Sequence, residues 1–366
     1  MNIGIVQQRL KTYQCQTSIQ EEQALKEIAQ EIALAGLSRG DFFKKAAFQG
    51  GTCLRILHGL NRFSEDLDFV LKKINSDFGW QVYLDDIRTE FDAYGIHLEI
   101  VDRSKTEDTV QKAWIKTSSI GKILQARFDD NAKKLNIKLE IDTNPPSGSF
   151  YEIRYLDFPF PFAVLAQDLP SLFASKSHAL LCREYTKGRD WHDFLWYAFQ
   201  KIPLNNNLLS EALNQIGPWQ GRKIKVNREW YRREMEKKIM ATDWSEAKRD
   251  IERFLNPQEL EGLKLWSKGF FQDRLKNYFT VKYQVHVFCN DCGKTHPMPI
   301  TINLDDGPAE KASLNDTYAG RSLPPQIANL IENSMVCPET KKSFTQSDNN
   351  QVFLVAIKNA TSPSTV

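Results

Sequence analysis

The chain has 366 residues, of which 41% are hydrophobic and 26% charged, with a formal net charge of +2. That composition is of an ordinary globular protein and excludes disordered, collagen-like and disulfide-scaffold chains. A charge so nearly balanced names no nucleic-acid partner by itself, and no apolar run reaches the ~20 residues that span a bilayer.

Thr17 to Ala35 predicts an amphipathic helix, with Ala24, Ile28 and Ile32 at helical spacing among Glu and Gln. A second helical stretch follows over about Gly40–Lys45. Ala46-Ala-Phe48 then reads as a short strand turning at Gly50-Gly51 into a helix over Cys53–His58, which Thr52 is suited to cap. Asp66–Leu71 reads as a strand, Trp80–Tyr94 as a helix, and His97–Asp102, Val110–Thr117 and Asn136–Asp142 as strands. In the last of these, Ile137, Leu139 and Ile141 share one face, and Lys138, Glu140 and Asp142 the other.

Past Leu169-Pro170 the pattern is helical to about residue 279, broken near Pro203, Pro218 and Pro257. A β pattern resumes at Thr280 and includes Val352–Ile357. The organisation expected is an N-terminal helical segment (1–44), a mixed α/β domain (45–168), a helical domain (169–279), a small β domain (280–358) and a disordered polar tail (359–366). The N-terminus has no basic region leading into an apolar core, so a cytoplasmic location is expected. Six cysteines in a chain of this length fit reduced thiols better than a disulfide framework.

The chemistry concentrates in two blocks. The first is Phe48-Gln-Gly-Gly-Thr-Cys-Leu-Arg55 followed by Arg62-Phe-Ser-Glu-Asp-Leu-Asp-Phe69. A glycine pair at a strand-to-helix turn lets backbone approach a ligand, and a helix N-terminus suits phosphate. Asp66 and Asp68, two apart on a strand, project from one face, and two anions side by side call for a cation such as Mg²⁺. Glu140 or Asp142 on the later strand supplies a third carboxylate; strand parity does not separate the two. Three such acids could hold two ions ~4 Å apart, the geometry for in-line displacement at phosphorus.

The second block is Ser175-Lys-Ser-His-Ala-Leu-Leu-Cys-Arg183 and Thr186-Lys-Gly-Arg-Asp-Trp-His-Asp-Phe194. Lys176 and Arg183 fall near one helical face and could neutralise a triphosphate. Asp190 or Asp193 could orient Lys176 or Arg189. A solvent-facing helix pair is the plainer reading of the same residues.

In order, Gly-Gly-Thr-x-Leu-Arg, Arg-x-Ser-x-Asp-Leu-Asp-Phe, Lys-Leu-Glu-Ile and Lys-x-x-Ala-Leu-x-x-Arg with Lys-Gly-Arg-Asp-x-x-Asp-Phe resemble the AbiEii/AbiGii-type toxin nucleotidyltransferases, of the DNA polymerase β-like superfamily. The resemblance covers about residues 40–200. It implies an α/β nucleotidyltransferase fold with a helical domain and a Mg²⁺-dependent transfer of a nucleotide from an NTP, releasing pyrophosphate. It implies a toxin of a toxin–antitoxin or abortive-infection system, with a cognate antitoxin and, as in some members, the 3′ end of tRNA as acceptor. A protein or small-molecule acceptor, or a non-catalytic binding protein, is the alternative.

Carried over by position, Gly50, Gly51 and Thr52 would contact the triphosphate, and Ser64 belongs to the same motif. Asp66 and Asp68 would bind metal, Lys176 the nucleotide phosphates, and Arg189 and Asp190 would complete the site.

Two features lie outside the resemblance. Arg222–Lys238 is basic and contains Trp230 and Tyr231, a pattern able to follow a phosphate backbone and stack on a base; the alternative is a charged helix whose aromatics are core. Cys289-Asn-Asp-Cys292-Gly-Lys-Thr-His296 with the distant Cys337 has the ligand types of a structural zinc site, though Cys337-Pro-Glu-Thr340 lacks a second Cys-x-x-Cys.

Overall fold

The computed structural model describes residues 3–105, 108–117, 135–305, 312–313, 329, 335–344 and 352–357. The polar tail expected at 359–366 lies outside them. By internal contacts the chain divides into two compact units, Met1–Tyr197 with Ile202–Phe270, and Ala198–Lys201 with Phe271–Val366.

The first unit begins with α1 (Ile3–Thr12) and α2 (Ser18–Arg39), the latter capped by the Thr17 side chain on Gln20 N–H. The stretch expected as a helix at Gly40–Lys45 is only a 3₁₀ turn, Phe42–Lys44, entered through Asp41 in the left-handed region. β1 (Ala46–Gln49), α3 (Gly50–His58), β2 (Leu67–Leu71), α4 (Gln81–Asp92), β3 (Glu99–Asp102), β4 (Val110–Thr117) and β5 (Leu135–Asp142) follow. β6 (Tyr151–Leu156) and β7 (Phe162–Gln167) form a hairpin where prolines obscure the sequence pattern.

These strands make one seven-stranded mixed sheet in the order β3-β4-β5-β2-β1-β7-β6. β2 runs parallel to β5 and antiparallel to β1, while β1 runs parallel to β7. β5 alternates as read, with Ile137, Leu139 and Ile141 buried and Glu140 and Asp142 on the half-buried face. Phe42, Phe69, Phe78, Trp80 and Tyr83 interlock against the sheet, Phe42 meeting Phe69 edge-on at 4.9 Å. α2 is buried along most of its length and touches α4 so closely that a Cβ on Gly36 would come within 2.8 Å of the Ile87 Cα.

The helices that complete this unit are α5 (Leu169–Cys182), α6 (Gly188–Phe199), α7 (Asn206–Gln215), α8 (Arg228–Ala241), α9 (Trp244–Glu252) and α10 (Pro257–Gly262). Pro257 opens α10 behind an Asn256 cap, as a proline at the first helical position can. A Cβ on Gly188 would lie 1.9 Å from the Ala247 carbonyl, so glycine there lets the start of α6 meet α9 backbone to backbone. α11 (Lys268–Phe279) leads into the second unit.

That unit is a four-stranded sheet in the order β10-β11-β8-β9, built from β8 (Thr280–Cys289), β9 (Lys294–Asp305), β10 (Ala312–Ser313) and β11 (Val352–Ala356). Its core holds Tyr283, Val285 and Val287 of β8 with Val352 and Leu354 of β11. Among the described residues no helix is long and apolar enough to cross a membrane.

Candidate active site

Asp66 sits one residue before β2 and Asp68 inside it, alternating with the buried Leu67 and Phe69. The β2–β5 register sets Asp68 beside Glu140, whereas Asp142 lies opposite Val70, two residues further along. Paired residues of neighbouring strands point to the same face, so Glu140 is the candidate third carboxylate set beside Asp68. Asp142 Oδ1 accepts the Asn144 N–H at 2.9 Å just past the end of β5.

Among the described residues, neither the Asp66 nor the Asp68 carboxylate has a hydrogen-bond or ion-pair partner; Glu140 has Lys138 at 2.7 Å. Burial first, then the Asp66 and Glu140 charges, push the Asp68 carboxyl up to about 6, with Lys176 and Lys187 opposing. Burial also raises Asp66. Acids crowded in this way, with nothing to neutralise them, form a seat for a divalent cation.

The loop carrying Asp66 is held from several sides. Gln30 of α2 donates to the Ser64 carbonyl at 3.1 Å, and Arg55 of α3 to the Leu60 and Asn61 carbonyls at 3.0 and 2.8 Å. The Thr52 hydroxyl donates to the Asp66 carbonyl, and its side chain is fully buried. Thr52 therefore fixes the backbone of a candidate metal ligand; its hydroxyl is spent and does not face a phosphate. Nor does it cap α3, which starts at Gly50 behind Gln49.

The glycine pair has internal reasons as well. Gly50 takes a φ of 79°, and a Cβ there would fall 2.3 Å from Asp68 Oδ2. A Cβ on Gly51 would fall 2.5 Å from Arg62 Nη2 and 3.2 Å from Ser64 Oγ. Asp68, Ser64 and Arg62 thus close around the first turn of α3, whose N-terminus offers unpaired N–H groups.

Facing the acids is a wall of cations. Lys176 of α5 lies 2.8 Å from both Asp190 Oδ1 and Asp193 Oδ2 of α6. Asp193, fully buried, also receives both Arg62 Nε and Nη2, at 2.6 and 2.7 Å. Arg183 pairs with Asp190. Burial opposes charge on Asp193, but Arg62 and Lys176 outweigh it and hold the carboxyl far below the usual range. Burial likewise disfavours the Lys176 ammonium, and Asp190 and Asp193 outweigh it and raise it.

Arg189 departs from the expectation that an aspartate of α6 orients it. It contacts Glu65 at 3.2 Å and lies over the Phe254 ring at 4.4 Å, bracing the loop just before Asp66. Lys187, which the sequence motif contains without showing a role for it, is half-buried and has no hydrogen bond or ion pair among the described residues. Its charge lowers the Asp68 carboxyl. The part played by Arg62 was equally hidden in its motif. The signal available for both was position: each is a cation adjoining residues already read as catalytic.

A cavity of about 650 Å³ lined by Leu71, Lys72, Phe78 and Tyr83 lies at the far end of β2 and includes none of Asp66, Asp68 and Glu140. In the second unit, Cys289, Cys292, His296 and Cys337 converge, their ligand atoms all within 4.8 Å of one another.

The basic stretch resolves into two parts. On α8, Tyr231 is buried with its hydroxyl on Ser177, so it is core and cannot stack on a base, and Arg233 and Lys237 pair with Glu234 and Arg232 with Glu236. Before α8, Arg222, Lys223 and Lys225 are exposed with no ion pair among the described residues. Trp219 and Trp230 meet edge-on at 5.6 Å beside them.

The family described as Nucleotidyl transferase AbiEii toxin, Type IV TA system, matches residues 32–272. Solved structures similar in fold include MenT4, a nucleotidyltransferase toxin from Mycobacterium tuberculosis H37Rv, at 15% identity and TM-score 0.48, covering 76% of this chain and 89% of that one. JHP933 from Helicobacter pylori is similar at 19% identity and TM-score 0.41, covering 69% and 90%. No curated protein matches the chain in sequence.

Two variants test the electrostatics. Asp193→Asn leaves Arg62 and Lys176 buried with too little counter-charge, and urea denaturation should show a loss of about 3–5 kcal/mol. Asp68→Asn should do the opposite. The folded state holds Asp68 at about 6 against an ordinary 3.8, so its ionised form costs stability above about 6 and costs nothing below 3.8. In metal-free buffer the variant should therefore gain about 1–3 kcal/mol at neutral pH, the gain fading as the pH falls through that window.

Proposed function

This chain belongs to the AbiEii nucleotidyl transferase toxin family and is a nucleotidyltransferase, and from that premise we propose that it moves an NMP from an NTP to a hydroxyl of RNA, tRNA being the favoured acceptor, with Mg²⁺ as cofactor. The observation that carries the reading is the register-enforced meeting of Asp68 and Glu140, with Asp66 two residues before, beside the N-terminus of α3.

The donor set fits Mg²⁺. Asp66, Asp68 and Glu140 offer hard carboxylate oxygens, and the first two lack partners among the described residues. When bound, the ion supplies Lewis-acid stabilisation of phosphoryl oxygens and lowers the pKa of the acceptor hydroxyl. The chain's own groups do the rest. Gly50 and Gly51 keep the first turn of α3 open for the phosphates, whose charge its N–H groups can meet.

Lys187 and Lys176, whose charges act on Asp68, would meet the β- and γ-phosphates, Lys176 being clamped by Asp190 and Asp193 while Lys187 has no ion pair among the described residues. The acceptor hydroxyl oxygen forms its bond to the α-phosphorus, its proton passing to solvent, as the bond to the β-phosphate oxygen breaks, and pyrophosphate would leave with its charge toward these lysines. Arg189 and Glu65 hold the loop on which Asp66 stands; Asp190 acts through Lys176. A family of toxin–antitoxin type also suggests a cognate antitoxin as partner and a cytoplasmic site of action.

Incubation with α-labelled NTPs, Mg²⁺ and total RNA should give RNase-sensitive label, lost with a chelator and in Asp66→Ala and Asp68→Asn. Protease-sensitive, RNase-resistant label would assign a protein acceptor instead, and full transfer by Asp66→Ala would remove the mechanism. Exposed Arg222, Lys223 and Lys225 beside Trp219 and Trp230 support the RNA reading. Replacing all three by Glu should weaken RNA binding and reduce the slope of log affinity against log salt by about 2, at ~0.7 for each phosphate no longer neutralised.

A further inference from the structure

We propose that Cys289, Cys292, His296 and Cys337 bind one Zn²⁺ as a closed structural site that fastens the β8–β9 hairpin to the 335–344 segment. The inference does not rest on the nucleotidyltransferase reading; it stands on the geometry of the second unit alone.

Thiolates ~2.3 Å from a tetrahedral ion stand ~3.8 Å from one another, and a thiolate and an imidazole nitrogen somewhat less. Here Cys292 Sγ and Cys337 Sγ are 3.7 Å apart, Cys337 Sγ and His296 Nε2 3.4 Å, and Cys292 Sγ and His296 Nε2 3.0 Å. A disulfide needs ~2.05 Å between sulfurs, and all six cysteines are free. A disulfide between two of the three thiols would also leave the third and the imidazole without a purpose. Four ligand atoms around one point are accounted for by a single soft-ligand cation.

The backbone repeats the same device twice. After Cys289 the chain turns so that Gly293 N–H donates to the Cys289 carbonyl at 2.9 Å, with Gly293 at a φ of 70°. After Cys337, Lys341 N–H donates to the Cys337 carbonyl at 2.9 Å, with Lys341 at a φ of 59°. The two turns are the paired knuckles of a zinc ribbon, and a non-glycine residue in the left-handed region is a strain that the surrounding structure must offset. In the second knuckle Thr340 stands where the first has Cys292. Its N–H approaches Cys337 Sγ at 3.4 Å, and the missing ligand comes from His296 on β9.

Lys294–Glu339 at 2.7 Å and Lys342–Asp291 at 3.2 Å link the knuckles across their rims. Cys289 and Cys337 belong to the buried core of this unit, so the metal would join the core at its end. With four protein ligands no position is open for substrate, which makes the site structural and not catalytic.

The test uses the full chain purified without a metal-affinity step. Elemental analysis should find one zinc per chain, released in step with thiol modification by a mercurial. The cobalt-substituted protein should show the d–d and thiolate charge-transfer bands of a tetrahedral site. Cys292→Ser and His296→Ala should lose the metal, while His296→Cys, which keeps four soft ligands, should retain it and report that the fold survives substitution. A folded wild-type chain that carries no zinc and develops no cobalt bands under reducing conditions would overturn the proposal, as would full retention of zinc by Cys292→Ser.

Discussion

Asp193 is a full charge in a place without water, and the active-site architecture is built around keeping it there. Burying a carboxylate costs several kcal/mol unless good geometry returns it, and Asp193 obtains that return from two cations at once, Arg62 and Lys176. Arg62 comes from the loop before β2, Lys176 from α5 and Asp193 from α6, so one buried anion ties three separate parts of the chain. The Arg62 guanidinium also fills the space that a Cβ on Gly51 would need, which carries the same constraint to the start of α3. A change at any of these positions is felt at all of them.

The acids and the cations of the candidate site differ in electrostatic character. Lys176 and Arg183 share Asp190, and Lys176 also pairs with Asp193, so their positions are held and their charge is partly balanced within the protein. Among the described residues Asp66 and Asp68 have no hydrogen-bond or ion-pair partner, and both are raised by burial and by neighbouring negative charge. That arrangement gives up stability in the unliganded protein, the usual condition of a site prepared for a charged ligand. On the proposed reading, a divalent cation would relieve the acids and a polyphosphate would meet the cations. Lys187 acts on Asp68 through its charge and has no ion pair with an aspartate among the described residues.

Much of the α/β framework was legible because it follows from local periodicity. β5 could be read from alternation alone, and β2 from apolar residues flanking the paired aspartates. The choice between Glu140 and Asp142 could not, because both share a face and only the register with β2 separates them. Nor could the fate of Thr52 or the reason for Gly51, since each is decided by a residue distant in sequence that packs against it. Whether Tyr231 stacks on a base or packs in the core stayed open because a half-basic helix shows both faces equally in sequence; Ser177 is what marks its inner face. The α6 aspartates were identified, but as partners of Arg189 as readily as of Lys176, and three-dimensional distance alone assigned them.

The two proposed metal positions are separated by ligand chemistry as well as by their place in the chain. Asp66, Asp68 and Glu140 are oxygen donors that suit a small hard ion keeping its waters, whereas Cys289, Cys292, Cys337 and His296 suit a softer ion that sheds them. The oxygen set is incomplete without substrate phosphates, so its ion is expected to exchange with solvent. The sulfur set is complete in itself and is expected to hold its ion through purification. A chelator added to the whole chain can therefore act on catalysis through the first set before it touches the second. Loss of activity on brief chelation, with zinc content unchanged, is the behaviour that this division of donors requires.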